Sequence, residues 1–510
     1  MCVLAAACSD DPVSPPAPPA PPATVPIGDL LTDSIAIAVN PNERVPLAAR
    51  ATFSTVEPVI ASVRVLGAEP VGHEVPGPTD TFGFPILGLH PDVENLVEVM
   101  LTKGDGSFAA DTLSITTAAL PDFFPAVVVT AADTALMEPG WTLSSLSIGD
   151  NGEFRTIPIM FDRMGQVRWY LDLSDGEDMG FAIERLANGN LLIGQGRAIF
   201  EYDMLGEQVN RWEMQGFWYH HDVIEQANGN LLVAVIDLSS STIEDYLIEL
   251  DRITGAVLNE WDLGLVLDMF RRSWGGTDTD WFHMNAIWVD PDDQGIILSG
   301  QRQGVVKIDR SGDLVWILAP HRGWGLAGPD ADGLDTREFL LTAVDADGVP
   351  YPAEVQDGGE AADDFDWAWG QHAPLVLPNG NLFLFDNGLN RRFIPDPMFS
   401  SGFSRGVEYA IDEENMTVRQ VWSWGEDRGI DYYAPIISDV DFLPTTGHRL
   451  IMPGIVFGPE PKAFVTEVTE SGEVVFEAEV RFRNDLSTGE PAWGQFDLVY
   501  RSERMTLYPQ

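Results

Sequence analysis

After Pro121 the chain repeats itself, and a repeat at this spacing restricts the fold before any single residue is considered. The first part of each repeat is an apolar strand, a turn and a second apolar strand: FAIERLANGNLLIG, HDVIEQANGNLLVAV, NAIWVDPDDQGIILSG, APLVLPNGNLFLFD and SDVDFLPTTGHRLIMPG. Asn-Gly and related pairs supply the positive φ angles that tight hairpin turns need. The second part is a hairpin ending in an aromatic, which puts Trp169, Trp212, Trp261, Trp316, Trp422 and Phe476 at matching positions. Most intervals between them are 43 to 55 residues, the length of a four-stranded blade, while Trp316 to Trp422 spans 106 and carries an insertion. The fold class read from this is all-β: a six-bladed β-propeller, with first strands lining a central channel. The segment AVVVTAADTALMEPGWTLSSLSI is expected to supply part of the first blade, and the C-terminal strands to close the ring. The insertion over 325–366 reads as either a lid or an acidic surface loop.

Ahead of the repeat, alternating strands such as SIAIAV, ASVRVLG and DTLSITT read as a small β-sandwich. The organisation is therefore residues 1–8, a truncated lipoprotein signal remnant; 9–24, a Pro-rich linker; 25–120, the N-terminal β-sandwich domain; and 121–510, the propeller. Both cysteines, Cys2 and Cys8, lie in the first eight residues, so the folded part has no disulfide and no thiolate metal site. The run LAAA before Cys8 resembles the end of a lipoprotein signal, with Cys8 the candidate lipidated residue. The linker PVSPPAPPAPPATVP suits a spacer that holds a domain off a membrane, and the expected location is periplasmic or cell-surface. A formal charge of −50 excludes nucleic acid as a partner and requires a local basic site for any anionic substrate.

Counting back from each turn brings out a histidine register. His221, His283 and His372 each stand seven residues before the turn, and Phe181 and Ser438 hold that place in the two remaining hairpins. Equivalent blade positions converge on the channel. A lone histidine is more often a satisfied core residue, but three in register beside Trp218, Tyr219, Trp281, Phe282 and Trp369 point to a site. Neutral imidazoles also suit zinc or copper. Should Arg302 face the channel, its charge favours an oxyanion over a metal. The GFSRG match around Ser404 leads into the strand-like VEYAI rather than a helix, so it is not a nucleophile elbow. No GxxxxGKS loop, HExxH or EF-hand pattern occurs.

The segments WYHHD, DWFHMNAIWVDPDDQGIILSGQRQGVVKIDRSGDLVWILAPHRGW, WGQHAPLVLPNGNLFLFDNG and SRGVEYAIDEENMTVRQVWSWG, with FPILGLHPDVENLVEV upstream, resemble the bacterial arylsulfotransferase family over nearly the whole mature chain. The resemblance implies an aryl sulfate sulfotransferase that needs no adenylated sulfate donor and no cofactor or metal. It implies His372 as the transiently sulfated nucleophile, with His283, Arg302 and His221 as further catalytic residues. Asn285, His220 and Ser438 are expected to bind substrate, while His321 in PHRGW reads as structural. A ping-pong mechanism follows from a covalent sulfohistidine. Partners implied are an aryl sulfate donor and a phenolic acceptor, a membrane only through the N-terminal lipid anchor, and, where a second subunit is involved, a homodimer. An aryl sulfate hydrolase and a non-catalytic binding propeller are the competing readings. The cysteine pair that known family members carry in the propeller is missing here.

Overall fold

A computed structural model describes residues 23–508 except 151, 177, 273–275, 397–401, 484–485 and 487–491; Cys2, Cys8 and most of the linker lie outside the described residues. The N-terminal domain is one five-stranded antiparallel sheet. Its long strands Ala49–Val65 and Val71–Ile86 pass through register breaks near Val59 and fold the sheet over its own core of Phe53, Val63, Phe84 and Val99. His73 sits in the second of these strands and stacks on Tyr508 at a centroid distance of 3.9 Å.

Six further sheets follow the repeat. Their innermost strands are Leu498–Met505, Ile183–Arg185, Phe217–Glu225, Met284–Val289, His372–Val376 and Asp439–Leu443. Residues of all six line one cavity of about 240 Å³, which defines the propeller axis. The ring closes twice. Leu498–Met505 is the inner strand of the first blade, against Trp141–Asp150, and Ala126–Ala132 is the outermost strand of the sixth, against Val474–Arg481. The segment expected to enter the first blade is thus divided between the first and the last, because a strand from each chain end locks a ring better than two from one.

The repeated aromatics join neighbouring blades. Nε1 of Trp169, Trp212, Trp261 and Trp422 donates to the backbone carbonyls of Met204, Arg252, Arg310 and Glu470 in the outer turn of the next blade, at 2.8 to 3.3 Å. Trp316 donates to the Glu413 carboxylate. Phe476, without a donor, instead packs under the Arg504 guanidinium at 4.6 Å. The insertion is tied into the fold: Leu341, Ala343, Val355 and Phe365 are buried with Trp316 and Leu384 in one core, and Thr342–Ala343 pairs in parallel with the outer strand of the fifth blade. No helix among the described residues is long and apolar enough to cross a membrane.

Candidate active site

At one end of the channel the inner strands lose their regular register: the ladder shifts between Tyr219 and Val223, Met284 and Ala286, His372 and Leu375, and Val499 and Ser502. Such bulges turn side chains off the strand normal. The backbone shows it, with φ of 63° at His221 and 58° at His283, a left-handed conformation that costs energy in a non-glycine residue and concentrates at functional sites.

His372 is 2% exposed. Its Nδ1 lies 2.8 Å from Asn387 Oδ1 and 3.0 Å from the Gly370 carbonyl. Asn387, 0% exposed, donates from Nδ2 to the carbonyls of Ala434 and Ile437, both at 2.7 Å. Those two acceptors fix the amide so that its oxygen faces the ring. With only acceptors around it, Nδ1 must carry the proton, and Nε2 keeps its lone pair. Burial, against the opposing pull of the Asn387 bond and aided by the His283 charge, lowers the His372 pKa to about 3, so the ring is neutral at working pH. The fourth blade holds the preceding residue: Asn285 Nδ2 and Ser299 Oγ both donate to the Gln371 carbonyl, at 2.8 and 3.1 Å.

His283 is the opposite case. Burial alone would neutralise it, but hydrogen bonds and charge from Asp280 and Glu244, both at Nδ1, raise its pKa to about 9. It is therefore an imidazolium near neutral pH. Its Nε2 donates across 3.3 Å to Nε2 of His221, whose pKa burial and the neighbouring imidazoles hold well below the usual range. His221 consequently keeps its proton on Nδ1, 2.9 Å from the Tyr500 hydroxyl, which can donate onward to the Asn285 carbonyl at 3.1 Å. Arg302 pairs with Asp280 at 2.5 Å. His220 also belongs to the cluster, 3.1 Å from Glu244 and 3.8 Å ring to ring from His221. Phe181 packs on His221 at 4.5 Å and on His220 at 5.4 Å, which explains an aromatic at that register position.

The structure thus brings His372, His283, His221, His220 and Arg302 to one end of the axis. Asn285 and Ser438 reach it with their side chains already engaged. Asn285 braces Gln371, although its buried Oδ1 has no partner among the described residues. Ser438 Oγ accepts from the Gly454 amide at 3.0 Å. His321 Nε2 lies 2.9 Å from the Leu341 carbonyl. Ser404 is fully buried, with its hydroxyl bonded to the Asn387 carbonyl and the Ala434 amide. Tyr219, Trp281 and Phe282 are buried in cores, and Trp369 lines a cavity beside the site.

Donor atoms of His220, His221, Glu244 and His283 lie within 4.8 Å of one another, close enough for a metal. His283, however, carries a positive charge near neutral pH, which opposes a second cation beside it. Together with Arg302, the cluster is better suited to an anion.

Fold and cluster define a β-propeller whose axis ends in a buried neutral histidine facing a cationic one. The chain belongs to the arylsulfotransferase family: residues 127–488 match that family, and residues 36–118 match its arylsulfotransferase Ig-like domain. Two proteins described as arylsulfate sulfotransferase AssT, from Escherichia coli O6:H1 and Lelliottia amnigena, are each 32% identical over 346 residues, covering 57% of this chain and 56% of theirs. The match spans little more than half the length of these relatives. A solved structure described as a putative 6-phosphogluconolactonase from Bacteroides uniformis aligns over 84% of this chain and 98% of its own at 10% identity, but its TM-score of 0.33 carries no argument.

Proposed function

We propose that the chain moves a sulfuryl group from an aryl sulfate to a phenol in two displacements, with His372 Nε2 carrying the group between them. The observation that carries this reading is the clamp on His372: a buried, neutral imidazole whose proton is fixed on Nδ1. In the first step the Nε2 lone pair attacks sulfur, the N–S bond forms and the S–O bond to the aryl group breaks. The ring becomes cationic as it does so, and the acceptors on Nδ1–H bind more strongly to a charged donor than to a neutral one, so the clamp favours the intermediate. The His283 imidazolium and Arg302 face the peripheral sulfuryl oxygens and the departing aryl oxide, where positioned charge is most effective. The His283 imidazolium gives up its Nε2 proton to the leaving oxide by way of His221 Nε2, while the Tyr500 hydroxyl holds the other proton of His221 on Nδ1. In the second step a phenol returns a proton by the same route, its oxygen attacks sulfur, and the N–S bond breaks to regenerate neutral His372.

The test is peptide mass spectrometry after brief mixing with 4-nitrophenyl sulfate without acceptor, quenched in alkali to preserve the N–S bond. One sulfuryl group on His372, discharged by phenol and absent from His372→Ala, is the expected result. Nitrophenol release that does not depend on phenol indicates a hydrolase; neither adduct nor release overturns the reading in favour of a binding module.

A further inference from the structure

Next to the histidine cluster lies a slot of about 40 Å³ whose lining includes Arg271, Arg302, Trp369, Gly370, Leu389 and Phe393. A water needs roughly 10 to 15 Å³ measured this way, so the slot admits a group of two or three heavy atoms. It shares a wall with the site, since Arg302 also bonds Asp280, and Gly370 bonds His372.

Arg271 is unusual among the buried cations. It is 3% exposed, with Nε donating to the Arg322 carbonyl, Nη1 to the Gln303 side chain and carbonyl, and Nη2 to the Pro320 carbonyl, over the face of Trp324 at 4.4 Å. Among the described residues no carboxylate pairs with it. The other arginines buried to this degree, Arg168, Arg405 and Arg449, each have one: Asp162, Asp386 and Glu408. In a chain with 79 acidic residues the lack of a partner is not for want of carboxylates. Asp268 accepts from the Arg271 backbone amide and acts on the guanidinium by charge alone, without an ion pair; a buried charge so weakly compensated is costly, and burial outweighs Asp268 to pull it down to about 9. A second group points the same way: Trp369, 7% exposed and lining the slot, leaves its indole Nε1–H buried without an acceptor among the described residues. Phe393 meets Trp369 edge to face at 5.0 Å and walls the slot with apolar surface.

We propose that this slot is a subsite for a carboxylate on the aryl group, taken up by Arg271 and the Trp369 N–H, so that carboxylated aryl sulfates and phenols are the preferred substrate class. This rests on the sulfuryl-transfer reading, under which Arg302 stands between the sulfuryl group and the carboxylate.

The experiment compares 4-carboxyphenol with its methyl ester by calorimetric binding to the full chain, and the two corresponding aryl sulfates by KM and kcat. Charge-assisted bonds in a buried site predict at least about tenfold tighter binding and lower KM for the acid. Arg271→Met and the milder Trp369→Phe are both expected to reduce that preference, the first to near unity, and Arg271→Lys to retain part of it. Equal binding of acid and ester by the unmodified chain overturns the proposal. A preference insensitive to both Arg271→Met and Trp369→Phe also overturns it. Because binding is read without turnover, a chain that prefers the acid but never sulfates His372 fails the transfer reading and keeps the subsite.

Discussion

Asn387 holds the proton of His372 on Nδ1 and leaves the lone pair on Nε2. Replacing it with leucine keeps the bulk and removes the acceptor, leaving Nδ1–H only the Gly370 carbonyl. A hydrogen bond to a group that becomes charged is worth about 1.5 to 3 kcal/mol, or about 10- to 150-fold, so Asn387→Leu is expected to lower kcat of the donor half-reaction by that factor with little change in KM; a change confined to KM would reassign Asn387 to binding. At His283 the prediction concerns pH. Its folded pKa of about 9 lies above the ordinary value of 6.5, so its charge is complete below 6.5 and is lost as pH rises through 9. Its contribution to stability falls over the same window. Single-turnover release of nitrophenol, in which no acceptor ionises, should therefore decline on an alkaline limb near pH 9, and His283→Gln should be slow and lack that limb. The histidines themselves were legible because they recur at a fixed distance from a turn. Asn387, Tyr500, Glu244 and Asp280 were not, because each comes from a position that the repeat does not share: a strand exit, the closing strand and two connecting loops.

Among the elements, blade-to-blade contacts are where the repeat was most informative. The recurring aromatic was visible in the sequence, but its role as a donor to the next blade was not, since the acceptor is a backbone carbonyl about 40 residues away and leaves no side-chain signature. Trp212→Phe retains nearly all the buried apolar surface and removes only the bond to the Arg252 carbonyl. A net loss of about 1 kcal/mol is expected, read as a lower midpoint of chemical unfolding at unchanged slope. Trp422, which is only half-buried, should cost less when changed in the same way; equal losses would locate the effect in ring packing instead. The insertion between the fourth and fifth blades escaped a decision because its acidic surface residues and its buried Leu341, Val355 and Phe365 alternate without a period.

For the whole molecule, ring closure and the histidine cluster share one strand. Leu498–Met505 completes the first blade and carries Tyr500, which bonds His221, and Arg501, which makes a two-point pair with Asp222 at 2.9 Å; beyond it, the Tyr508 hydroxyl accepts from the Leu87 amide of the N-terminal domain. A propeller lacking this strand exposes an unpaired edge at Trp141–Asp150 and opens the channel from the side, so deletion of residues 497–510 should abolish both cooperative unfolding and transfer. Deletion alone cannot separate scaffold from chemistry. Tyr500→Phe does, since the ring still packs against Phe181 while His221 Nδ1 loses its partner. If the hydroxyl sets the His221 tautomer, the variant should unfold with wild-type cooperativity and yet turn over more slowly, most of all with aryl sulfates whose leaving phenols are weak acids and depend on the proton that His221 relays. A uniform loss across leaving groups would instead place Tyr500 with the scaffold and leave protonation to His283 directly.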